Sequence, residues 1–155
     1  MKLKLIILLT AINFFCHAQN VKIIKKEIQQ SIEKQKTNLI KTSDAIWEFA
    51  ETSLLEFQSS KVLMDYAREN GFDVKPGVAG IKTAFTASYG QGRPIIGILG
   101  EFDANAGISQ KRQPKRESRI PGAAGHGCGH NLFGTASLGA AVAIKEQIEK
   151  GNIKG

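Results

Sequence analysis

The run Pro94-Ile95-Ile96-Gly97-Ile98-Leu99-Gly100 constrains this chain more than any other stretch. A continuous apolar run of this length predicts a strand buried on both faces. Before it, Gly90-Gln91-Gly92-Arg93 reads as a turn and Lys82–Tyr89 as a β-prone segment, so these two longer strands are expected to pair as a hairpin. Phe72-Asp73-Val74-Lys75 alternates as a half-buried strand does. Around these strands the period is helical. Residues 21–51 carry Ile24, Ile28 and Ile32 among Lys and Glu, and read as one helix or as two, the second capped by Thr42-Ser43-Asp44 and carrying Ile46, Trp47, Phe49 and Ala50. Residues 57–70 place Val62, Leu63, Tyr66 and Ala67 on one face and stop at Asn70-Gly71. A last helix is expected from about Asn131 to Lys150, with Gly134, Ala136, Gly139, Ala140 and Ala143 letting it lie close against the sheet. The pattern predicts an α/β fold.

The N-terminus bears on the chemistry. Lys2 and Lys4 precede an apolar run, Leu5–Phe15, that is short for a membrane span, and Cys16-His17-Ala18 offers small residues for cleavage. Residues 1–18 are therefore expected to be a secretory signal and residues 19–155 the mature chain, secreted or periplasmic, with no membrane association after cleavage. Of the two cysteines, only Cys128 would remain. A lone thiol in an oxidising compartment should be buried, reactive or bound to metal. Loss of Lys2 and Lys4 with residues 1–18 would take the net charge from +7 to +5, and the excess is concentrated in Gln110–Arg119. No aromatic interleaving accompanies it, so nucleic acid is not an expected partner. This loop reads as a solvated surface; a second reading gives it a preference for an acidic substrate end.

Gly125-His126-Gly127-Cys128-Gly129-His130-Asn131 is the stretch that carries chemistry. In an extended segment residues i and i+2 point the same way, so Cys128 and His130 can reach one ion. The glycines open backbone conformations closed to other residues, and the following helix start favours a thiolate. Thiolate with imidazole suits zinc and related divalent ions, but a site needs four or more ligands. The stretch lacks the second cysteine of a c-type haem motif, the final glycine spacing of a dinucleotide fingerprint and the lysine of a P-loop. Upstream, Gly100-Glu101-Phe102-Asp103-Ala104 follows the apolar run; Glu101 and Asp103 share a face, and Asp103 can ligate a metal or orient a ligand.

Ile98–Ser109, a basic-polar loop and then Gly125–Ala141 together resemble the aminobenzoyl-glutamate hydrolase branch of the aminoacylase–carboxypeptidase metallohydrolases. Ile46-Trp47-Glu48-Phe49-Ala50-Glu51, the Glu56-Phe57 helix start and Glu69–Val74 resemble the same family, so the resemblance covers residues 40–155. It implies the N-terminal part of a catalytic α/β domain with a mixed sheet packed by helices, and two zinc or manganese ions. It further implies hydrolysis of small amides such as N-acyl amino acids, aminobenzoyl-glutamate-like compounds or dipeptides, in a homodimer. By motif position Cys128 and His130 resemble metal ligands and Asp103 the catalytic carboxylate that supports the metal centre, with His126 and Glu101 outside the ligand set. The family's general-base glutamate and remaining ligands would follow Gly155, so residues 19–155 alone are expected to be inactive. The alternative is a non-catalytic remnant that binds metal weakly or not at all.

Overall fold

The computed structural model describes residues 2–154, with side chains from Val21 to Lys154. The expected export signal lies outside the described side chains. Helix α1 spans Lys2–Phe49, α2 Phe57–Glu69, strand β1 Asp73–Pro76, β2 Phe85–Ser88 and α3 His130–Glu149, with a short 3-10 turn at Val78–Gly80. The helical segment before Glu51 is one helix, not two. Thr42-Ser43-Asp44 lies inside it, because Ser43 is buried and accepts a hydrogen bond from Asn131 Nδ2 at 3.1 Å instead of capping a helix start.

The class is α/β, but the strands differ from expectation. β2 pairs antiparallel with β1, Val74 opposite Ala87, and not with residues 94–100. Val74, Phe85 and Ala87 turn inward while their neighbours face solvent, as strand alternation requires. Among the described residues there is one sheet, of two antiparallel strands, as an α/β fragment holds. The apolar run is not a strand either. Ile95 is 82% exposed and Leu99 73%. Apolar composition favours burial, but a strand exists only where another strand satisfies its backbone groups, and no partner meets 94–100 among the described residues.

The core forms where the helices meet. Ile46 of α1, Leu63, Tyr66 and Ala67 of α2, and Leu138 and Val142 of α3 are buried together, with Phe72, Phe85 and Phe102 packed against them. A polar row joins this core. Tyr66 Oη donates to Gln35 Oε1 at 2.8 Å, and Gln35 Nε2 donates to Ser31 Oγ at 2.9 Å. Burial raises the Tyr66 pKa, and the charge of Glu69 adds to the effect. Glu51, just past α1, receives the backbone amides of Gln58 and Ser59 at 3.0 and 2.8 Å and the Ser59 hydroxyl at 2.8 Å. It thus satisfies the free donors at the start of α2. Its burial works to raise its pKa, but these hydrogen bonds outweigh burial and hold it below the usual carboxylate value.

Small residues bring α3 in, though not onto the sheet. A Cβ on Gly134 would lie 2.8 Å from the Glu101 carbonyl oxygen, and one on Gly100 would lie 3.2 Å from Gly134 Cα. Helix and segment therefore touch backbone to backbone, and Ser137 Oγ donates to the Leu99 carbonyl at 2.7 Å. Gly139 instead faces the Leu39 side chain of α1.

Gly134→Ala should cost about 1–3 kcal/mol, because rigid backbone must move. Gly139→Ala should cost less, since Leu39 can change rotamer; urea unfolding of both variants checks the order. Glu51→Gln should remove about 1–3 kcal/mol of charged hydrogen bonding. The folded pKa of Glu51 is depressed, so its stabilisation is full above the unfolded value of about 4.3 and is lost as pH falls through the folded value. The wild-type advantage over Glu51→Gln in acid unfolding should accordingly vanish at low pH.

Candidate active site

The segment after the apolar run is held on both sides. Ala104 N donates to the Glu51 carbonyl at 2.7 Å. Asn105 and Gly125 exchange backbone hydrogen bonds at 2.9 and 3.0 Å. These contacts tie Glu101–Asn105 to the end of α1 and to the start of the glycine-rich stretch. Gly129 then turns the chain into α3 through a positive φ of 84°, a conformation that suits glycine, and His130 becomes the first helical residue. The next residue, Asn131, is buried and bonded to Ser43 of α1, so the helix start is anchored in the core.

This brings His130 between two carboxylates. Its Nδ1 lies 2.7 Å from Asp103 Oδ1 and its Nε2 3.2 Å from Glu101 Oε2. Asp103 accepts only, so Nδ1 carries the proton and donates it. In the neutral ring Nε2 is then a lone pair facing a carboxylate oxygen. A cation between these two electron-rich atoms, either a proton or a metal ion, would turn the contact into an attraction. Zinc bonds of about 2.0–2.1 Å in a tetrahedron place two ligand atoms about 3.3–3.4 Å apart. The separation of Nε2 and Oε2 suits that edge, and Asp103 stands behind the imidazole as an orienting carboxylate does.

The structure gathers Asp103, Glu101 and His130, and leaves Cys128 apart. Cys128 is a free, exposed thiol. Among the described residues no set of three or more His, Cys, Asp or Glu side chains is arranged to hold a metal ion. His126 faces elsewhere: its Nε2 donates to the Ile46 carbonyl at 3.1 Å, and its Nδ1 is buried without a hydrogen-bond partner. Burial lowers its pKa and His130 lowers it further, while the Ile46 bond and Asp103 work the other way. Glu101, expected outside the ligand set, lies with its carboxylate oxygen 3.2 Å from Nε2 of His130. The i, i+2 spacing of Glu101 and Asp103 was the signal available. Nothing local in the sequence marked the Ser43–Asn131 anchor or the Ile46 carbonyl.

No family model matches the chain. It is 42% identical over 128 residues to a p-aminobenzoyl-glutamate hydrolase subunit of Escherichia coli (strain K12), a match that takes in 82% of this chain and 27% of that protein. The chain thus spans about a quarter of the length of the curated relative it matches. By this match the chain belongs to an aminobenzoyl-glutamate hydrolase-like family.

Proposed function

We propose that this chain contributes part of the catalytic site of a secreted, metal-dependent hydrolase of small amides, with N-acyl amino acids or aminobenzoyl-glutamate-like compounds as substrates. The observation that carries this reading is His130, held by Asp103 at Nδ1 and facing Glu101 at Nε2. The name of the relative, a p-aminobenzoyl-glutamate hydrolase subunit, supports the substrate class and an assembly of more than one chain.

In this reading His130 and Glu101 would supply two donors to a zinc or manganese ion, and Cys128, two residues before His130, would join them as a soft donor only by a movement of the backbone around Gly127 and Gly129. Asp103 holds the imidazole in the tautomer that leaves Nε2 free. A bound ion would polarise the amide carbonyl and acidify a water. The protein's own task here is orientation. Gly134 and the Asn131–Ser43 bond fix the helix start, and the paired backbone around Asn105 fixes the carboxylates. Residues 1–18 would direct export. Among the described residues no helix is long and apolar enough to cross a membrane.

Metal content by elemental analysis, together with zinc titration, tests the reading. His130→Ala and Glu101→Gln should empty the site, Cys128→Ser should lower occupancy sharply, and Asp103→Asn should weaken binding about 10–100-fold as an orienting partner does. Unchanged zinc affinity in His130→Ala would sink the proposal. Export is checked separately: mass spectrometry of secreted protein should find Gln19 at the mature N-terminus, and an intact Met1 would remove the compartment argument.

A further inference from the structure

A cleft of about 330 Å³ opens between the end of α1 and the loop that carries Gln110–Arg119. That volume lies in the range of small-molecule sites. Trp47, Ile108, Lys111, Arg112, Arg119 and His126 line it. Three of the lining side chains are cations and none is a carboxylate. Because His126 and Gly127 form one wall, the cleft adjoins the stretch that contains Cys128 and His130.

The two arginines are held in place. The Arg112 guanidinium carbon sits 4.2 Å from the centre of the Trp47 ring and that of Arg119 5.0 Å. Arg112 Nη2 pairs with Asp44 at 3.2 Å and Arg119 Nη2 with Glu48. Both acids belong to α1 and lie outside the cleft lining. Each holds its guanidinium at one nitrogen, and a guanidinium has five donors. The remaining donors are preorganised by stacking and pairing, which reduces the ordering cost of binding an anion.

We propose that this cleft is a recognition subsite for a small organic carboxylate with a flat apolar body. The carboxylate meets the forks of Arg112 and Arg119, with Lys111, whose ammonium also pairs with Glu117, adding charge, and the body rests beside Trp47 and Ile108. Planar guanidinium forks match a carboxylate in two bonds, and the apolar wall favours an organic acid over an inorganic anion. Assigning the cleft to the carboxylate end of an amide substrate rests on the hydrolase reading above. Recognition of the carboxylate itself does not.

Trp47 is the only tryptophan, so intrinsic fluorescence reports on this cleft alone. The protein is titrated with N-benzoylglycine and with N-benzoylglycinamide, which share ring and amide and differ in charge. N-benzoylglycine should give a saturable change, and the amide should bind at least about tenfold more weakly, the loss expected for one charge-assisted hydrogen bond. Arg112→Gln and Arg119→Gln should each weaken N-benzoylglycine by about the same factor. Lys111→Gln, which leaves the Trp47 stack intact, should weaken it by a smaller factor, and Arg116→Gln, outside the cleft, should leave it unchanged. Circular dichroism of each variant separates lost binding from lost fold. Equal binding of the amide, an absence of saturation, or an unchanged affinity in the arginine variants with Lys111→Gln equally silent would overturn the proposal. Inorganic phosphate binding as tightly as N-benzoylglycine would overturn the choice of an organic carboxylate. The titration needs neither metal nor turnover, so its failure leaves the hydrolase reading standing, and loss of zinc binding in His130→Ala leaves this one standing.

Discussion

The contact between Gly134 and the Glu101 carbonyl organises the rest of the molecule. A helix cannot come this close to a neighbouring backbone through any side chain, and the contact sits one turn from His130. It therefore sets how far the imidazole stands from both carboxylates. The Ser137 hydroxyl on the Leu99 carbonyl and the Asn131 amide on Ser43 lock the same turn from two other directions. Precision at the site comes from this docking and from rigid elements on each side, not from the loop that precedes it.

The end of α1 serves several neighbours at once. Ile46 is in the core through its side chain, while its carbonyl accepts from His126. Glu51 caps α2 with its carboxylate and holds Ala104 with its carbonyl. Trp47 lies beneath two guanidinium groups of the basic loop. A single helical turn and the residues after it thus connect the core, the carboxylate segment and the cationic cleft. Disturbance in any of these places is transmitted to the others through packed groups.

The basic loop also gains a definite role in the architecture. Its charge reads in the sequence as a solvated surface, yet Arg112 and Arg119 fold back onto α1 and pair with Asp44 and Glu48. Lys111 pairs with Glu117 inside the loop. The pairing leaves a cleft whose own lining is purely cationic among its charged residues. Charge that appears diffuse along the chain is gathered at one place once Arg112 and Arg119 pair with Asp44 and Glu48.

Much of this was legible in the sequence. Helical periodicity located α2 and α3, because the stripe Leu63, Tyr66 and Ala67 and the run of small residues in α3 are local patterns. The i, i+2 pairs Glu101 and Asp103, and Cys128 and His130, stood out as candidates for the same reason, and of these four the structure brings Asp103, Glu101 and His130 together. The sequence did not decide the fate of Pro94–Gly100. Its apolar side chains specify a preference for burial, but a strand depends on hydrogen-bonding partners elsewhere, and the described residues supply none. Nor did it decide which carboxylate would face which nitrogen of His130. Asp103 and Glu101 differ by two positions on one extended segment, and only the close approach of α3 selects Nδ1 for the one and Nε2 for the other. Local pattern determined which residues can do chemistry, and the backbone contact at Gly134, which no local pattern encodes, determined how they meet.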